Sequence, residues 1–180
     1  MAIIGLVGFK QVGKSTAAKY LEEKYGFTRH NFKDALVQEL KDNFPDLLEK
    51  ICVNESRTRI TRDVVTVDKL FQEKPPLMRA LMQNYGTDVR RKDSPNYWTQ
   101  QWVKNLDIGK TVVDDVRFLN EAEAVKLGGG IIIRLTRSDI ETGGTHLSET
   151  EQLEIVADHT IECDPGDHEA LYRALDDIIK

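Results

Sequence analysis

The sequence has few cysteines, no long apolar run and no excess of positive charge. Its two cysteines, Cys52 and Cys163, show no C-x-x-C spacing, which argues against a disulfide framework or a structural zinc site. No apolar stretch approaches the length of a membrane-spanning helix, and the N-terminal run at 3–7 is too short for a signal-peptide core. A formal net charge of -5 argues against nonspecific binding to nucleic acid. We therefore expect a soluble, cytoplasmic protein whose partners include no membrane and no nucleic-acid polymer.

The composition is that of an ordinary globular protein. A chain of 180 residues that is 40% hydrophobic and 31% charged can bury one core and lacks the bias of a disordered segment. No internal repeat or low-complexity tract divides it. We predict a single domain over residues 1–180, with insertions.

The most informative stretch is residues 8–15, which read Gly-Phe-Lys-Gln-Val-Gly-Lys-Ser and are followed by Thr16. They match G-x-x-x-x-G-K-[ST] at every constrained position. The stretch lies between an apolar run at 3–7 and a helical pattern at 15–25, which is the strand, loop and helix context that this motif requires. Because the motif and its context agree, we predict a loop that binds the phosphates of a nucleoside triphosphate.

The constrained residues of this loop each have a physical role. Gly8 and Gly13 let the backbone wrap a phosphate without Cβ clashes, and the following helix directs its positive end at the same point. Lys14 supplies a point charge for the β- and γ-phosphates, and the Ser15 hydroxyl can join the coordination sphere of Mg²⁺. Together they predict a site for Mg·ATP.

Apolar segments and helical patterns alternate along the chain, which predicts an α/β fold with a parallel sheet and right-handed crossovers. The strand at 111–115 ends in Asp114 and Asp115, and ligands of open α/β sheets collect beyond the carboxyl ends of strands. The predicted strands are 2–7, 27–31, 111–115, 131–135 and 160–163, and the predicted helices are 14–25, 32–43, 75–85, 96–106, 118–127, 148–156 and 168–179.

Two segments depart from this alternation and carry much of the positive charge. Residues 44–106 form an insertion, and residues 136–149 form a polar loop over the site. Trp98 and Trp102 lie one turn apart in the insertion, and we predict that at least one of them belongs to a buried core stripe. Arginines gathered there suggest a second anionic pocket, although each is equally compatible with a solvated helix face. They are Arg57, Arg59, Arg62, Arg79, Arg90 and Arg91 in the insertion, and Arg134 and Arg137 at the root of the loop.

A phosphate loop alone does not distinguish a switch protein from a kinase. A guanine-specific switch needs an Asn-Lys-x-Asp base reader, and residues 31–34 read Asn-Phe-Lys-Asp, in the wrong order. It also needs Asp-x-x-Gly after the third strand, whereas Asp115 is followed by Val-Arg-Phe. A small phosphotransferase instead needs cations around an acceptor pocket, which the arginine-rich segments can supply.

Further motifs narrow the choice of kinase. The order and spacing of these motifs relative to the phosphate loop resemble those of the bacteriophage-type deoxynucleoside monophosphate kinases. The resemblance extends from Ile3 to about Glu149. These motifs are Arg79-x-x-x-Gln83-x-x-Gly86-Thr87, Val113-Asp114-Asp115-Val116-Arg117-Phe118 with Asn120-Glu121, and His146-Leu147-Ser148-Glu149.

The resemblance implies a P-loop kinase fold, a three-layer α/β sandwich whose five-stranded parallel sheet has the order 2-3-1-4-5. It implies a helical monophosphate-binding insertion at 44–106 and a lid at 136–149. It implies Mg²⁺-dependent transfer of the ATP γ-phosphate to a deoxynucleoside monophosphate, giving a diphosphate and ADP, and often a homodimer.

The resemblance also implies roles for individual residues. Asp115 is preferred to Asp114 as the metal-side acid because it belongs to the D-x-R pattern, although either acid can cap a helix. No role is assigned to His146 or Glu149, because Thr145-His146-Leu147 lacks the proline expected there. The implied ATP-binding residues are Gly8, Lys10, Val12, Gly13, Lys14, Ser15 and Thr16; the metal-side residues are Ser15 and Asp115; the catalytic residues are Lys14, Asp115, Arg117 and Arg137; and the acceptor-binding residues are Arg79, Gln83, Gly86, Thr87, Trp98, Arg117 and Glu121.

Two alternatives stay open at this point. Another small-molecule kinase of the same fold, such as a dephospho-coenzyme A or sugar kinase, has the same phosphate loop. A regulatory module that binds ATP without transferring its phosphate has it too, but needs no second anionic pocket. The base preference, the strictness of deoxyribose selection and the oligomeric state do not follow from the sequence.

Overall fold

The computed structural model describes residues 2–59, 63–107, 109–140 and 147–180, and of residues 147–149 it describes the backbone alone. Within these residues, five parallel strands form one sheet with the order β2-β3-β1-β4-β5. This confirms the predicted α/β class and the strand order 2-3-1-4-5. The strands are β1 (Ala2–Val7), β2 (Thr28–Arg29), β3 (Lys110–Val116), β4 (Ile131–Thr136) and β5 (His159–Glu162).

The chain divides into two compact units, Met1–Phe32 with Gln101–Lys180, and Lys33–Gln100. The first unit holds the sheet and the phosphate loop, and the second is helical. The boundaries fall inside α2 (Phe32–Asn43) and α6 (Tyr97–Lys104). The other helices of the first unit are α1 (Lys14–Tyr25), α7 (Leu119–Leu127), α8 (Leu147–Glu154) and α9 (His168–Ile179), and those of the second are α3 (Pro45–Thr58), α4 (Val67–Glu73), α5 (Pro76–Gln83) and a π-helix (Asn84–Arg91).

The sheet of the first unit is covered on both faces, which explains why its strands read as continuous apolar runs. Successive residues of a strand point to opposite faces, so the neighbours Ile3 and Ile4 enter different cores. One core contains α1 and α9 residues such as Leu21 and Leu175, and the other contains Val125 of α7. The result is the three-layer sandwich that the resemblance implies.

The second unit has its own apolar core and departs from the predicted helices in two ways. The helices α3 and α4 form in a stretch for which the sequence predicted no individual helix. The helix predicted to close at Gly86 ends at Gln83, and the chain continues through Gly86 as the π-helix. Gly86 is buried, and an added Cβ would lie 3.1 Å from Cδ2 of Leu36. The indole N–H of Trp98 donates to the Gly86 carbonyl at 2.9 Å, so packing holds this turn where the sequence indicates a helix end.

Both tryptophans are buried, which confirms the predicted core stripe. Trp98 is 3% exposed and lies in the core of the second unit, and Trp102 is 2% exposed and packs beside Phe32 in the first. The Trp102 indole donates to the carbonyl of His30 at 2.9 Å, so its polar edge is satisfied as well.

No helix in the described ranges is long and apolar enough to cross a membrane. Residues 141–146 of the predicted lid lie outside those ranges. His146 and the side chain of Glu149 are likewise outside them, as is Arg62.

The contact between α1 and α9 predicts a specific acid sensitivity. The carboxylate of Asp176 accepts hydrogen bonds from Lys24, Tyr25 and Tyr20, each at 2.7 Å, and these bonds lower its pKa from 3.8 to about 2. Because the folded-state pKa lies below the unfolded one, the cluster stabilises the fold above pH of about 4, and that stability is lost as the pH falls toward 2. We expect Asp176→Asn to be less stable than the wild type at neutral pH and to converge with it near pH 2.

Urea unfolding between pH 2 and pH 7 measures this effect. Asp177→Asn is the matched control, because the Asp177 carboxylate is 76% exposed and pairs with Lys180 at the surface. A stability difference between Asp176→Asn and the wild type that stays constant over this pH range would contradict the prediction.

Candidate active site

The loop between β1 and α1 has backbone conformations that its sequence makes possible. Gly8 and Gly13 have φ angles of 148° and 100°, and Gln11 has a φ angle of 70°. A Cβ at Gly8 would lie 2.4 Å from the carbonyl oxygen of Leu135, so no side chain fits there. The loop therefore lies directly against β4, and its first glycine is required for close approach as well as for its φ angle.

The ammonium group of Lys14 lies across this loop. Its Nζ donates to the carbonyl oxygens of Gly8 at 2.5 Å and Phe9 at 2.7 Å. The side chain is half-buried, and these two hydrogen bonds hold its ammonium group at the predicted phosphate site. Phosphate oxygens offer this ammonium stronger acceptors than neutral carbonyls do.

The acid beside Ser15 is Asp114. The Ser15 hydroxyl donates to Oδ2 of Asp114 at 3.0 Å. Asp115, which the sequence favoured for the metal side, accepts a hydrogen bond from the backbone N–H of Phe32 at 3.1 Å. Adjacent residues of a strand face opposite sides of the sheet, so β3 presents one of the two acids to the start of α1.

Two residues of the β2 segment hold Asp114, and sequence reasoning missed both. Arg29 donates through Nη1 to Oδ2 of Asp114 at 3.1 Å and pairs through Nη2 with Glu22 at 2.6 Å. Asn31 donates to Oδ1 of Asp114 at 2.8 Å and accepts from the Asp114 backbone N–H at 2.9 Å. Arg29 lies in the middle of the predicted strand at 27–31 and Asn31 ends it. The neighbouring strand that the resemblance implies ends in the two acids, and this placement was the available signal.

Arg137 lies at the root of the predicted lid and contacts the phosphate loop. Its Nη1 donates to the carbonyl of Gln11 at 2.9 Å, while Nε and Nη2 hold the carboxylate of Asp139 at 2.9 Å and 2.7 Å. This ion pair lowers the pKa of Asp139 through its hydrogen bonds to the guanidinium. Arg137 therefore lies beside the loop at 8–13, and its predicted contact with the transferring phosphoryl group stays a prediction.

Arg134 differs from Arg137 although both lie at the end of β4. Its guanidinium donates to the carbonyl oxygens of Gln152 at 3.1 Å and Ile155 at 2.5 Å, at the end of α8. Burial lowers its pKa. This arginine satisfies carbonyls at a helix C-terminus, which is a structural role.

Arg117 and Glu121, predicted to face the acceptor together, have separate environments. Arg117 is exposed, and among the described residues its guanidinium has no hydrogen-bond partner. Glu121 is 3% exposed, and its carboxylate accepts the backbone N–H groups of Arg117 at 2.8 Å and Phe118 at 3.1 Å. Glu121 thus caps the start of α7, and its carboxylate is engaged by backbone amides instead of facing a substrate.

The predicted acceptor residues of the second unit lie on α5 and the π-helix. Arg79 and Gln83 are exposed one turn apart on α5, and neither side chain has a partner within the described ranges. Gly86 and Thr87 follow in the π-helix. Trp98, predicted as a wall near base or sugar, is instead buried with its N–H on the Gly86 carbonyl, so in this conformation it positions the π-helix.

A cluster around Glu39 ties the π-helix to α2 and α6, and sequence reasoning did not find it. The Glu39 carboxylate accepts from Arg90, from Tyr85 at 2.8 Å and from Tyr97 at 3.1 Å. The Arg90 guanidinium lies 5.3 Å from the Tyr85 ring and 5.2 Å from the Tyr97 ring, within cation–π range. Burial raises the pKa of both tyrosines, and Arg90 is thus a structural cation of the second unit.

No protein-family model matches the sequence. A protein of Acanthamoeba polyphaga mimivirus, named "Putative deoxynucleotide monophosphate kinase", is 33% identical over 166 residues, which cover 84% of this chain and 82% of that protein. Among solved structures, the dephospho-CoA kinase from Campylobacter jejuni is 17% identical with a TM-score of 0.46, covering 98% of this chain and 96% of that one. TT1252 from Thermus thermophilus is 16% identical with a TM-score of 0.41, covering 99% and 94%.

The phosphate loop, the parallel sheet order and the level of identity to the mimivirus protein agree with one another. A lysine held on a glycine-bounded loop, next to a serine paired with a strand-end acid, is an arrangement that fits the phosphates of a nucleoside triphosphate. The chain is a nucleotide kinase and belongs to the deoxynucleotide monophosphate kinase family.

Proposed function

We propose that the protein transfers the γ-phosphate of Mg·ATP to a deoxynucleoside monophosphate, giving ADP and a deoxynucleoside diphosphate. The observation that supports this proposal most directly is the arrangement of Lys14, Ser15 with Asp114, and Arg137 around one phosphate loop. The name of the mimivirus relative supports a deoxynucleotide acceptor. A cytoplasmic location and a homodimer stay predictions.

The phosphate loop binds and orients the ATP phosphates through its backbone, with side-chain help from Lys14 and Thr16. Lys14 exchanges the carbonyl oxygens of Gly8 and Phe9 for phosphate oxygens and neutralises charge as the γ-phosphoryl group moves. Arg137 is close enough to the loop to exchange the Gln11 carbonyl for a phosphate oxygen. Lys10 and Val12 complete the loop, Lys10 as an exposed cation and Val12 as a buried anchor.

The residues beside Ser15 fit a magnesium ion. A hydroxyl and a carboxylate 3.0 Å apart are hard oxygen ligands, which Mg²⁺ prefers over nitrogen or sulfur. We propose Ser15 and Asp114 as the residues that hold the ion or its water shell, in place of Asp115. When bound, Mg²⁺ would neutralise phosphate charge.

The acceptor needs no protein nucleophile, because its own phosphate oxygen attacks the γ-phosphorus while the bond to ADP breaks. The protein aligns the two nucleotides and supplies cations. We propose Arg117 in the first unit, and Arg79 with Gln83, Gly86 and Thr87 in the second, as the residues that bind the monophosphate. Both arginines are exposed and have no partner among the described residues, so their guanidinium groups are available for an anion.

An acceptor screen tests the proposal. The purified protein, Mg²⁺ and ATP are incubated with each deoxynucleoside monophosphate, each ribonucleoside monophosphate, dephospho-coenzyme A and a panel of sugars, and ADP formation is followed. We expect ADP with one or more deoxynucleoside monophosphates. Activity confined to dephospho-coenzyme A or a sugar indicates another small-molecule kinase, and ATP binding without any product indicates a regulatory module.

The role of Arg117 gives a quantitative prediction. A charge-assisted hydrogen bond to the acceptor is worth roughly 1.5–3 kcal/mol, so Arg117→Ala is expected to raise KM for the monophosphate by on the order of tenfold or more. The kcat changes little if the contact is equal in ground and transition states. Steady-state kinetics with each nucleotide varied in turn measures both constants.

Arg173→Ala is the control, because Arg173 is an exposed arginine of α9 whose Nε donates to the Glu169 carbonyl within the same helix. A loss confined to ATP affinity in Arg117→Ala would place Arg117 on the ATP side.

A further inference from the structure

The charges around Asp114 are arranged in a way that the transfer reaction alone does not require. Oδ2 of Asp114 receives both the Ser15 hydroxyl at 3.0 Å and Nη1 of Arg29 at 3.1 Å. The Asp114 side chain is 4% exposed, so the guanidinium neutralises a carboxylate that water scarcely reaches. The oxygen proposed to face the magnesium ion thus already has a protein cation on it.

The other oxygen of Asp114 has a different partner. Oδ1 accepts from the Asn31 amide at 2.8 Å, and the same amide group accepts the Asp114 backbone N–H at 2.9 Å. This two-point contact fixes the orientation of the carboxylate and is neutral. Orientation and charge compensation are therefore assigned to two different residues, Asn31 and Arg29.

Arg29 is also held by a second acid. Its Nη2 pairs with Glu22 of α1 at 2.6 Å, and the side chains of Arg29 and Glu22 are 29% and 33% exposed. One guanidinium thus spans two carboxylates through two nitrogens, a geometry that its planar fork allows. Any weakening of its bond to Asp114 leaves the cation paired with Glu22.

We propose that Arg29 is a positioning residue that serves as an internal counter-ion of Asp114 and sets the magnesium dependence of nucleotide binding. Its guanidinium competes with the metal for Oδ2 of Asp114, and a guanidinium drawn toward Glu22 leaves that oxygen to the metal. Arg29 therefore opposes the metal and Glu22 favours it. This inference rests on the proposed Mg·ATP site and is independent of which acceptor is used.

The two residues predict opposite effects of two charge-neutralising substitutions. Removing the unit charge of Arg29 beside the buried Asp114 carboxylate, or that of Glu22 beside Arg29, is expected to shift the half-saturating Mg²⁺ concentration by roughly three- to tenfold. Arg29→Gln should lower it and Glu22→Gln should raise it. A purely structural role for the pair would weaken nucleotide binding alike with and without Mg²⁺.

The experiment is calorimetric titration of ADP into the full chain at a series of free Mg²⁺ concentrations and in EDTA. Glu23→Gln is the matched control, because it removes the same charge one residue away on α1, where Glu23 pairs with Lys19 at the surface. The expected result is opposite shifts for Arg29→Gln and Glu22→Gln, no shift for Glu23→Gln, and unchanged ADP affinity in EDTA.

Three outcomes are decisive. Folded variants with the wild-type Mg²⁺ dependence, or with shifts in the same direction, overturn the counter-ion role while leaving the proposed function intact. If the wild type itself binds ADP without any Mg²⁺ dependence, the proposed metal site fails and the inference fails with it. If Arg29→Gln does not fold, as judged by thermal unfolding, the direction of the Glu22→Gln shift alone decides.

Discussion

Replacing Lys14 by alanine is expected to lower kcat by on the order of 10²- to 10³-fold, the loss typical of removing one preorganised charge-stabilising donor. The ammonium of Lys14 is already fixed on the loop by the Gly8 and Phe9 carbonyls, so little of its binding energy is spent on ordering the side chain. The fold should survive, because these carbonyls can hydrogen-bond to water once the lysine is gone. Steady-state turnover and circular dichroism of the variant measure both effects.

Lys19→Ala is the control for this prediction. Lys19 lies on the same helix, its side chain is 70% exposed, and it pairs with Glu23 one turn away. Loss of such a surface pair is worth about 0–1 kcal/mol, and turnover should be unaffected. Normal turnover in Lys14→Ala would show that the loop is not the ATP site.

Gly8→Ala is expected to destabilise the fold by about 2–6 kcal/mol, the combined range for an overpacked side chain and a strained backbone conformation. The added Cβ would lie 2.4 Å from the Leu135 carbonyl oxygen and 3.0 Å from a methyl group of Val12. The Val12 methyl is a side-chain atom that needs to shift only by a few tenths of an ångström, but the carbonyl belongs to β4 and is fixed in the sheet. The loop must therefore move, and ATP binding should be lost together with stability.

Gly26→Ala separates the cost of the strained backbone conformation from the cost of the steric overlap. Gly26 has a φ angle of 70° at the end of α1, and nothing lies within 4 Å of the position of an added Cβ. This variant should cost about 1–2 kcal/mol for the left-handed conformation alone and bind ADP normally. Urea unfolding gives the free energies, and equal losses in the two variants would argue that the contact with β4 does not matter.

Much of the fold follows from local sequence patterns. The predicted bounds of α1, α2 and α9 equal the observed ones, because each has an apolar stripe of helical period and most begin or end at a residue suited to that terminus. Gly26, for instance, takes the left-handed conformation that ends α1. The π-helix was not predictable in this way. Its backbone at Gly86 is held by Leu36 and Trp98, and neither residue belongs to the π-helix or is adjacent to Gly86 in the sequence.

The candidate site likewise has features that local sequence predicts and features that it does not. The backbone structure of the loop at 8–13 was predictable because strand, loop and helix are contiguous and every constrained residue of the motif is present. The role of Glu121 was not, because a shared helix face with Arg117 does not reveal that the carboxylate folds back onto the backbone amides of Arg117 and Phe118, just before α7. The Glu39 cluster joins residues about 50 positions apart, and no local pattern announces it.

By itself, the sequence determined the strand and helix on either side of the loop at 8–13 and the α/β class, because both depend on residues that are neighbours along the chain or repeat with a fixed period. The kinase family was indicated by a resemblance in the order and spacing of several motifs. The tertiary structure decided which of two adjacent acids meets Ser15. In a strand covered on both faces, the apolar pattern does not fix the phase of the pleat, so Asp114 and Asp115 look equivalent. The packing of β3 against β2 and α1 sets that phase, and with it the placement of Arg29 and Asn31 on Asp114.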